Sequence, residues 1–272
     1  MNSEVIDSIA ALRRRLLPAR ASGRVIGFVP TMGALHRGHL RLVEEARKQC
    51  NVVVASIFVN PIQFNQTEDY ALYPRTLDHD VQQCSAAGVH IVFAPGTTEM
   101  YPSPLSTFVE VPSVSEHLCG AFRPGHFRGV ATVVMKLFQI VQPDYAYFGE
   151  KDAQQLAVIR RMVRDLDVPV AIVPVPTVRE ADGLALSSRN QRLTPEDRRV
   201  APMLFRALEI AQTEGRESAL AYLATEPRFR VEYLEAVDPD EMQPVDPAHR
   251  PVRFTIAAWL GPVRLIDNVL AV

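Results

Sequence analysis

Short apolar runs alternate with longer amphipathic ones through the first two thirds of the chain. The apolar runs fall at 25–29, 52–58, 90–93, 145–148 and 170–173, and helical periodicity occupies 40–50, 77–87, 130–141 and 153–166 between most of them. A strand-length run that feeds a helix and is followed by another run predicts parallel strands joined by right-handed crossovers, with helices on both faces of the sheet. The expected fold class is α/β, a Rossmann-like parallel sheet. Ligands of such sheets collect at the carboxyl ends of the strands.

The texture changes after Pro174. The stretch Pro174-Val175-Pro176 breaks the alternation, and a polar loop with Gly183 and the pair Ser187-Ser188 follows. A boundary near Val175 divides the chain into a Rossmann-like domain, 1–175, and a smaller C-terminal α+β domain, 176–272, which carries the loop. In the second part Thr194 reads as a helix cap with Pro195 at the first helical position, which predicts a helix over 196–213 and another over 217–223. The segments 228–237, 252–260 and 263–268 alternate and are rich in Phe, Tyr, Val and Ile, the pattern of a small antiparallel sheet. No internal repeat or low-complexity segment is evident.

Composition narrows the function classes. The chain has 272 residues, 47% of them hydrophobic, and a formal net charge of −2, so it can bury a full core as one large domain or two smaller ones. A near-neutral balance, with only the short basic run Arg13-Arg14-Arg15, offers no field for a nucleic-acid partner. Glu4 and Asp7 precede the apolar residues of 9–17, unlike a secretory signal, and no stretch is long and apolar enough to span a bilayer. The expectation is a cytoplasmic protein that binds no membrane. Cys50, Cys84 and Cys119 are odd in number and far apart, which fits reduced thiols, with Cys50 and Cys84 in packing roles near helix ends.

The candidate chemistry centres on Pro30-Thr31-Met32-Gly33-Ala34-Leu35-His36-Arg37-Gly38-His39, directly after the first apolar run. Strand, tight turn and helix start in succession make an anion site, because the first N–H groups of a helix lack partners and its dipole is positive there. Gly33 and Gly38 let the backbone approach a ligand. His36 and His39, three residues apart, can donate hydrogen bonds to a phosphate as it loses its leaving group; the alternatives are a zinc pair or two incidental surface histidines, and no further ligands stand near enough in sequence for zinc. Lys151, after the 145–148 run and before a helix, can reach a phosphate as a point charge, or it is a solvated charge. Ser187, Ser188 and Arg189 suit a mobile lid over a triphosphate. Gln63 and Gln155 are neutral amides suited to a ligand with hydroxyls and a carboxylate, or ordinary surface residues. Asp78 and Asp80 either hold Mg²⁺ or favour the first turn of a helix.

Taken together these segments carry a resemblance. The histidine turn resembles the HIGH motif of the nucleotidylyltransferase and class I aminoacyl-tRNA synthetase superfamily, and Ser187-Ser188-Arg189 resembles the tail of its KMSKS loop. More narrowly, the histidine turn, Phe58-Val59-Asn60-Pro61-Ile62-Gln63-Phe64, Tyr73-Pro74-Arg75-Thr76, Arg123-Pro124-Gly125-His126-Phe127-Arg128-Gly129-Val130, Phe148-Gly149-Glu150-Lys151-Asp152-Ala153-Gln154-Gln155 and Leu186-Ser187-Ser188-Arg189-Asn190 are similar, in order over nearly the whole chain, to the pantoate–β-alanine ligase family.

That resemblance implies an AMP-forming, amide-forming ligase: pantoate and ATP give a bound pantoyl adenylate and pyrophosphate, and β-alanine then gives pantothenate and AMP. It implies ATP contacts from Met32, Gly33, Ala34, Leu35, His36, Arg37, Gly38 and His39, from Gly149, Glu150, Lys151 and Asp152, and from Val178, Leu186, Ser187, Ser188 and Arg189. Gln63 and Gln155 hold pantoate, with Gln63 also near β-alanine. The catalytic set is His39, usually assigned as proton donor, with His36 and Lys151. Family members are typically cytoplasmic homodimers that need Mg²⁺. The chain departs from the pattern at Ala185-Leu186, where the superfamily has Lys-Met, and at His79, where some members have a carboxylate; the metal ligands stay unassigned. Arg123 and Arg128 serve either phosphate or the subunit interface. The competing readings are another nucleotidylyltransferase that leaves AMP on its product and a non-catalytic nucleotide-sensing module; a tRNA-charging enzyme is disfavoured by the short C-terminal region and the lack of a basic surface.

Overall fold

A computed structural model describes residues 2–248 and 250–272. Among these residues six parallel strands form the main sheet: β1 (Glu4–Ile6), β2 (Ile26–Thr31), β3 (Val52–Ile57), β4 (Ile91–Phe93), β5 (Tyr145–Gly149) and β6 (Ala171–Val175), in spatial order β1-β4-β3-β2-β5-β6. The chain runs outward from β2 on one side through β3 and β4, and on the other through β5 and β6. The order therefore reverses between β2 and β5, the place where a parallel sheet opens a crevice at its carboxyl edge.

The strand residues themselves widen that crevice. Pairing of β2 with β5 covers only Gly27 and Phe28, whereas pairing with β3 continues to Thr31. Pro30 has no N–H with which to extend the β5 ladder, so the two central strands part there. Pro174 in β6 is harmless for a different reason: β6 is an edge strand, with one side free of ladder bonds.

Side chains alternate between two cores along each strand. Ile26 and Phe28, Val52 and Val54, and Ile91 and Phe93 pack with Leu12, Leu16 and Ala19 of the helix Ile9–Ala21 and with the helices His126–Val141 and Ala153–Asp165. Val29, Val53, Ala55 and Val92 face the other way, onto Leu42, Val43 and Ala46 of the helix Arg37–Gln49 and Cys84 of the helix Leu77–Ala87. Both faces are covered, as the apolar runs predict. Cys50, Cys84 and Cys119 are all buried and free.

After Val175 a second, separate apolar cluster forms between the helices Met203–Glu214 and Arg216–Ala224 and an antiparallel sheet of β7 (Phe229–Val237), β8 (Val252–Leu260) and β9 (Val263–Ala271), in that order. The single helix expected over 196–213 is two, Pro195–Val200 and Met203–Glu214, because Pro202 interrupts it. Thr194 does cap the first, its Oγ1 accepting from the Asp197 N–H at 3.1 Å. The strand β1 and the helix Ile9–Ala21 are additions to the sequence pattern, and β9 runs three residues past the expected Asn268.

Candidate active site

The turn after β2 is built by side chains from neighbouring elements. Thr31 Oγ1 donates to the Ser56 carbonyl at 2.7 Å and accepts from the Gly33 N–H at 3.1 Å. Asp80, fully buried, accepts from the Ala34 N–H at 3.0 Å, the Leu35 N–H at 2.8 Å and Thr76 Oγ1 at 3.0 Å. Of the two roles open to the acids of 78–80, Asp80 therefore takes a structural one, spending both carboxylate oxygens on the histidine turn.

His36 and His39 cap the helix Arg37–Gln49 reciprocally. His36 Nδ1 accepts from the Gly38 N–H at 3.1 Å and His39 Nδ1 accepts from the His36 N–H at 3.3 Å. An accepting Nδ1 has no proton, so each neutral ring carries its N–H on Nε2. The rings are in contact, with centroids 4.1 Å apart and planes tilted by 36°. A Cβ on residue 38 would lie 2.8 Å from the His36 ring, so only glycine lets that ring lie over the helix start. Burial and then the Lys151 charge push His36 down to about 4, and burial and then His36 push His39 down to about 3. Both are neutral hydrogen-bond donors at physiological pH.

The opposite wall is a network around Gln63. Asn60 Nδ2 donates to Gln63 Oε1 at 2.9 Å and to the Gly129 carbonyl at 3.2 Å, and Tyr101 Oη donates to Asn60 Oδ1 at 2.7 Å. Gln63, 7% exposed, has its Nε2 3.0 Å from Met32 Sδ. His126 Nδ1 donates to the Gln63 carbonyl at 2.8 Å, which leaves Nε2 to accept from Arg123 Nη1 at 3.1 Å. Burial and the Arg123 charge push His126 down to about 3, and burial and Arg189 push Arg123 down to about 10.

Charge enters from the ends of β5 and the polar loop. Lys151 Nζ lies 3.9 Å from Asp152 Oδ2. Desolvation works against the Asp152 carboxylate, but Lys151 and Arg189 outweigh it and hold the group below its ordinary range. Val178 and Leu186 are paired at the loop base, the Leu186 N–H donating to the Val178 carbonyl at 3.0 Å. Arg189 and Arg192 each donate to Asp69, both at 3.1 Å, which ties the loop to the helix Thr67–Ala71.

These walls enclose a cavity of about 230 Å³. Met32, His36, Gly38 and His39 line it, as do Gly149, Lys151, Asp152, Val178, Leu186, Ser187, Ser188 and Arg189, and both Gln63 and Gln155. Gly33, Ala34, Leu35, Arg37 and Glu150 do not line it; the first three are buried in the turn, with the Gly33 N–H on Thr31 and the Ala34 and Leu35 N–H groups on Asp80, and Arg37 is exposed. The sequence motifs gave no role to Asn60, Tyr73 or His126, all of which line it, and left that of Arg123, which also lines it, open. Their signal lay in the quoted motifs, but nothing local says that Arg123 and His126 fold back onto Gln63. Arg128 is half exposed and pairs with Glu110 at 3.5 Å, away from the cavity.

Among the described residues no group of three or more His, Cys, Asp or Glu side chains could hold a metal ion. Among those same residues Asp152 is the one carboxylate lining the cavity. That donor set fits Mg²⁺ carried by phosphate oxygens, since this ion uses one or two carboxylates and keeps water and phosphate for its remaining positions.

The family model for pantoate–β-alanine ligase matches residues 4–270. The chain belongs to the pantoate–β-alanine ligase family. It is 52% identical over 277 residues to a pantothenate synthetase of Moorella thermoacetica and 51% identical over 276 residues to pantothenate synthetase 1 of Bradyrhizobium diazoefficiens, with 98% of each chain covered in both cases. A crystal structure of pantothenate synthetase from Thermus thermophilus superposes with a TM-score of 0.92 at 50% identity, covering 98% of both chains. A pantoate–β-alanine ligase from Francisella tularensis, complexed with β,γ-ATP and β-alanine, superposes with a TM-score of 0.83 at 36% identity, covering 98% of this chain and 97% of that one. Pantoate–β-alanine ligases form an amide bond at the expense of ATP, and a cavity that sets two neutral histidines and Lys151 against a buried amide suits that task. No helix among the described residues is long and apolar enough to cross a membrane.

Proposed function

We propose that this cleft condenses (R)-pantoate with β-alanine to give pantothenate, through a pantoyl adenylate, with release of pyrophosphate and then AMP. The observation that carries the reading is the pair of neutral histidines, with donor Nε2–H groups, sharing one cavity with the buried amide of Gln63. A carboxylate is a poor acylating agent until one oxygen becomes part of a better leaving group, and attack on the ATP α-phosphate does this. Negative charge then gathers on the departing pyrophosphate, where preorganised donors have their largest effect. His36 and His39 supply two such donors and Lys151 a positive charge. With its ring held near 3 in the free enzyme, His39 acts as a hydrogen-bond donor to the phosphates and not as an acid that begins the cycle protonated.

Gln63 and Gln155 orient pantoate, and the remaining predicted ATP contacts run from Met32 to His39, from Gly149 to Asp152, and through Val178 and Leu186 to Arg189. Gly33, Ala34 and Leu35 lie off the cavity with their N–H groups given to Thr31 and Asp80, and they serve by holding the shape of the histidine turn. Mg²⁺ travels with ATP and neutralises phosphate charge, with Asp152 as its nearest carboxylate. In the second step the β-alanine nitrogen attacks the acyl carbon, the bond to the phosphate oxygen breaks, and AMP leaves with that electron pair. Closure of the Ser187-Ser188-Arg189 loop keeps water from the adenylate. The division at 175, drawn from the change of texture after Pro174, completes the reading, with a homodimeric assembly and a cytoplasmic location on the strength of the family resemblance.

The test is isotope exchange between ATP and pyrophosphate with pantoate present and β-alanine absent. Exchange that requires pantoate is expected. Exchange without any acid, or none until β-alanine is added, overturns the adenylate route.

A further inference from the structure

The last strand of the chain reaches back to the turn that carries Lys151. Asn268, on β9 and 4% exposed, donates through Nδ2 to the main-chain carbonyls of both Glu150 and Lys151, each at 2.9 Å. Its Oδ1 accepts from Arg253 Nη1 on the neighbouring strand. Its own N–H donates to Asp267 Oδ1 at 2.8 Å, and Asp267 receives Arg179 through two bonds, at 2.5 and 3.0 Å. Arg179 lies at the root of the polar loop, bridged to Ala185 and stacked 3.8 Å over the Phe205 ring.

A primary amide offers two N–H donors and one carbonyl acceptor, and here both polar atoms are engaged inside the protein. The β7-β8-β9 sheet does not need these bonds, because its register is made by main-chain pairing and its stability by its own apolar cluster. Asn268 lines neither the cavity described above nor the neighbouring cavity of about 190 Å³, so it does not face a substrate. What it holds is a pair of consecutive carbonyls. Fixing two successive peptide planes fixes the direction of the bond from Cα to Cβ at Lys151, and hence where a flexible four-carbon stem can deliver its ammonium. The hold matters because Lys151 stands just before the helix Ala153–Asp165, where the dipole repels a cation.

We infer that Asn268 is a positioning residue for Lys151: it carries the alignment of the C-terminal sheet into the phosphate end of the cleft. The inference rests on the reading above that Lys151 meets the phosphates of ATP. The experiment is a double-mutant cycle on the full chain, read by pantoate-dependent ATP–pyrophosphate exchange with thermal unfolding as the folding control. Asn268→Ala should lower kcat/KM for ATP about 10-fold, since misplacement by about 1 Å can cost up to about 100-fold, while the KM for pantoate stays within about 2-fold. In the Lys151→Ala background the same change should cost less than about 2-fold, because its effect passes through the missing ammonium. Asn268→Ser leaves a small uncharged hydroxyl in place of the amide and removes the two-donor reach to both carbonyls. It should fold and show the same loss, which keeps the test open if the alanine variant unfolds.

Equal losses from Asn268→Ala with and without Lys151 would overturn the positioning role. So would wild-type exchange in a folded Asn268 variant when Lys151→Ala alone is impaired, and the reading of Lys151 would then survive. Wild-type exchange in Lys151→Ala would overturn that reading and the inference together.

Discussion

Gly129→Ala adds one methyl group at the point where the helix His126–Val141 crosses the turn Pro61–Gln63. The new Cβ would lie 2.4 Å from the Ile62 carbonyl oxygen and 2.6 Å from Gln63 Cα, and both are backbone atoms that cannot rotate aside. Ordinary contact begins near 3.4 Å, so the turn must retreat from the helix by about 1 Å, in the range where overpacking costs about 1–3 kcal/mol. The retreat strains the two bonds that tie the Gln63 turn to the helix, Asn60 to the Gly129 carbonyl and His126 to the Gln63 carbonyl. A displacement of about 1 Å in a substrate-positioning group can cost up to about 100-fold in rate. The histidine turn and Lys151 lie on other elements and stay in place. The expected result is a thermal midpoint lowered by several degrees and kcat/KM for pantoate reduced on the order of 10- to 100-fold, with ATP affinity nearly unchanged. Exchange measured against pantoate at saturating ATP, and against ATP at saturating pantoate, separates the two. A Gly129→Ala protein with wild-type pantoate kinetics and an unshifted midpoint would refute the claim that this contact sets the position of Gln63.

His39→Ala should slow adenylate formation on the order of 100-fold or more in a folded protein, read by single-turnover pyrophosphate release. Because His36 is held near 4 and His39 near 3, neither ring of the free enzyme should titrate near pH 6.5, which the histidine signals in an NMR titration from pH 5 to 8 check. The same depressed values, with His126 near 3, link to stability: unfolded imidazoles bind protons below about 6.5 that the native rings refuse. The stabilisation is therefore complete above pH 6.5 and is lost as pH falls toward 4 and then 3, so the midpoint in calorimetry should drop over that window. Asp80→Asn keeps one oxygen as acceptor and turns its NH2 toward the other donor set, either the Leu35 N–H or the Ala34 N–H with Thr76. At about 1–3 kcal/mol for each buried group left unpaired, both the thermal midpoint and ATP affinity should fall. Asp69→Ala frees Arg189 and Arg192 from partly exposed ion pairs worth at most about 1 kcal/mol, so stability should hardly change. Tryptic cleavage after these arginines should quicken, with saturating ATP restoring protection.

The sheet was legible because its strands are buried on both faces and read as continuous apolar runs, whereas what escaped lacks that signature. The strand β1 has three residues with Glu4 and Val5 exposed, and the helix Ile9–Ala21 buries only Leu12, Leu16 and Ala19 beneath a basic face that contains Pro18. The break at Pro202 follows from a rule of local sterics that the strong periodicity on either side conceals. In the site, the histidine turn was legible because anion binding at a helix start is a local property of strand, turn and helix. The tautomers of its histidines were not, since they depend on which N–H groups the rings cap, and neither was the hold of Asp80 on the turn, whose backbone donors Ala34 and Leu35 lie more than forty residues away in sequence. Asn268 is the extreme case. Within its strand it is one polar residue in an alternating pattern, and its weight comes only from where β9 docks. The reactive groups sit close to strand ends and announce themselves, but the residues that aim them are placed by tertiary packing. A substitution that spares every motif can therefore still displace the ammonium of Lys151 or the amide of Gln63.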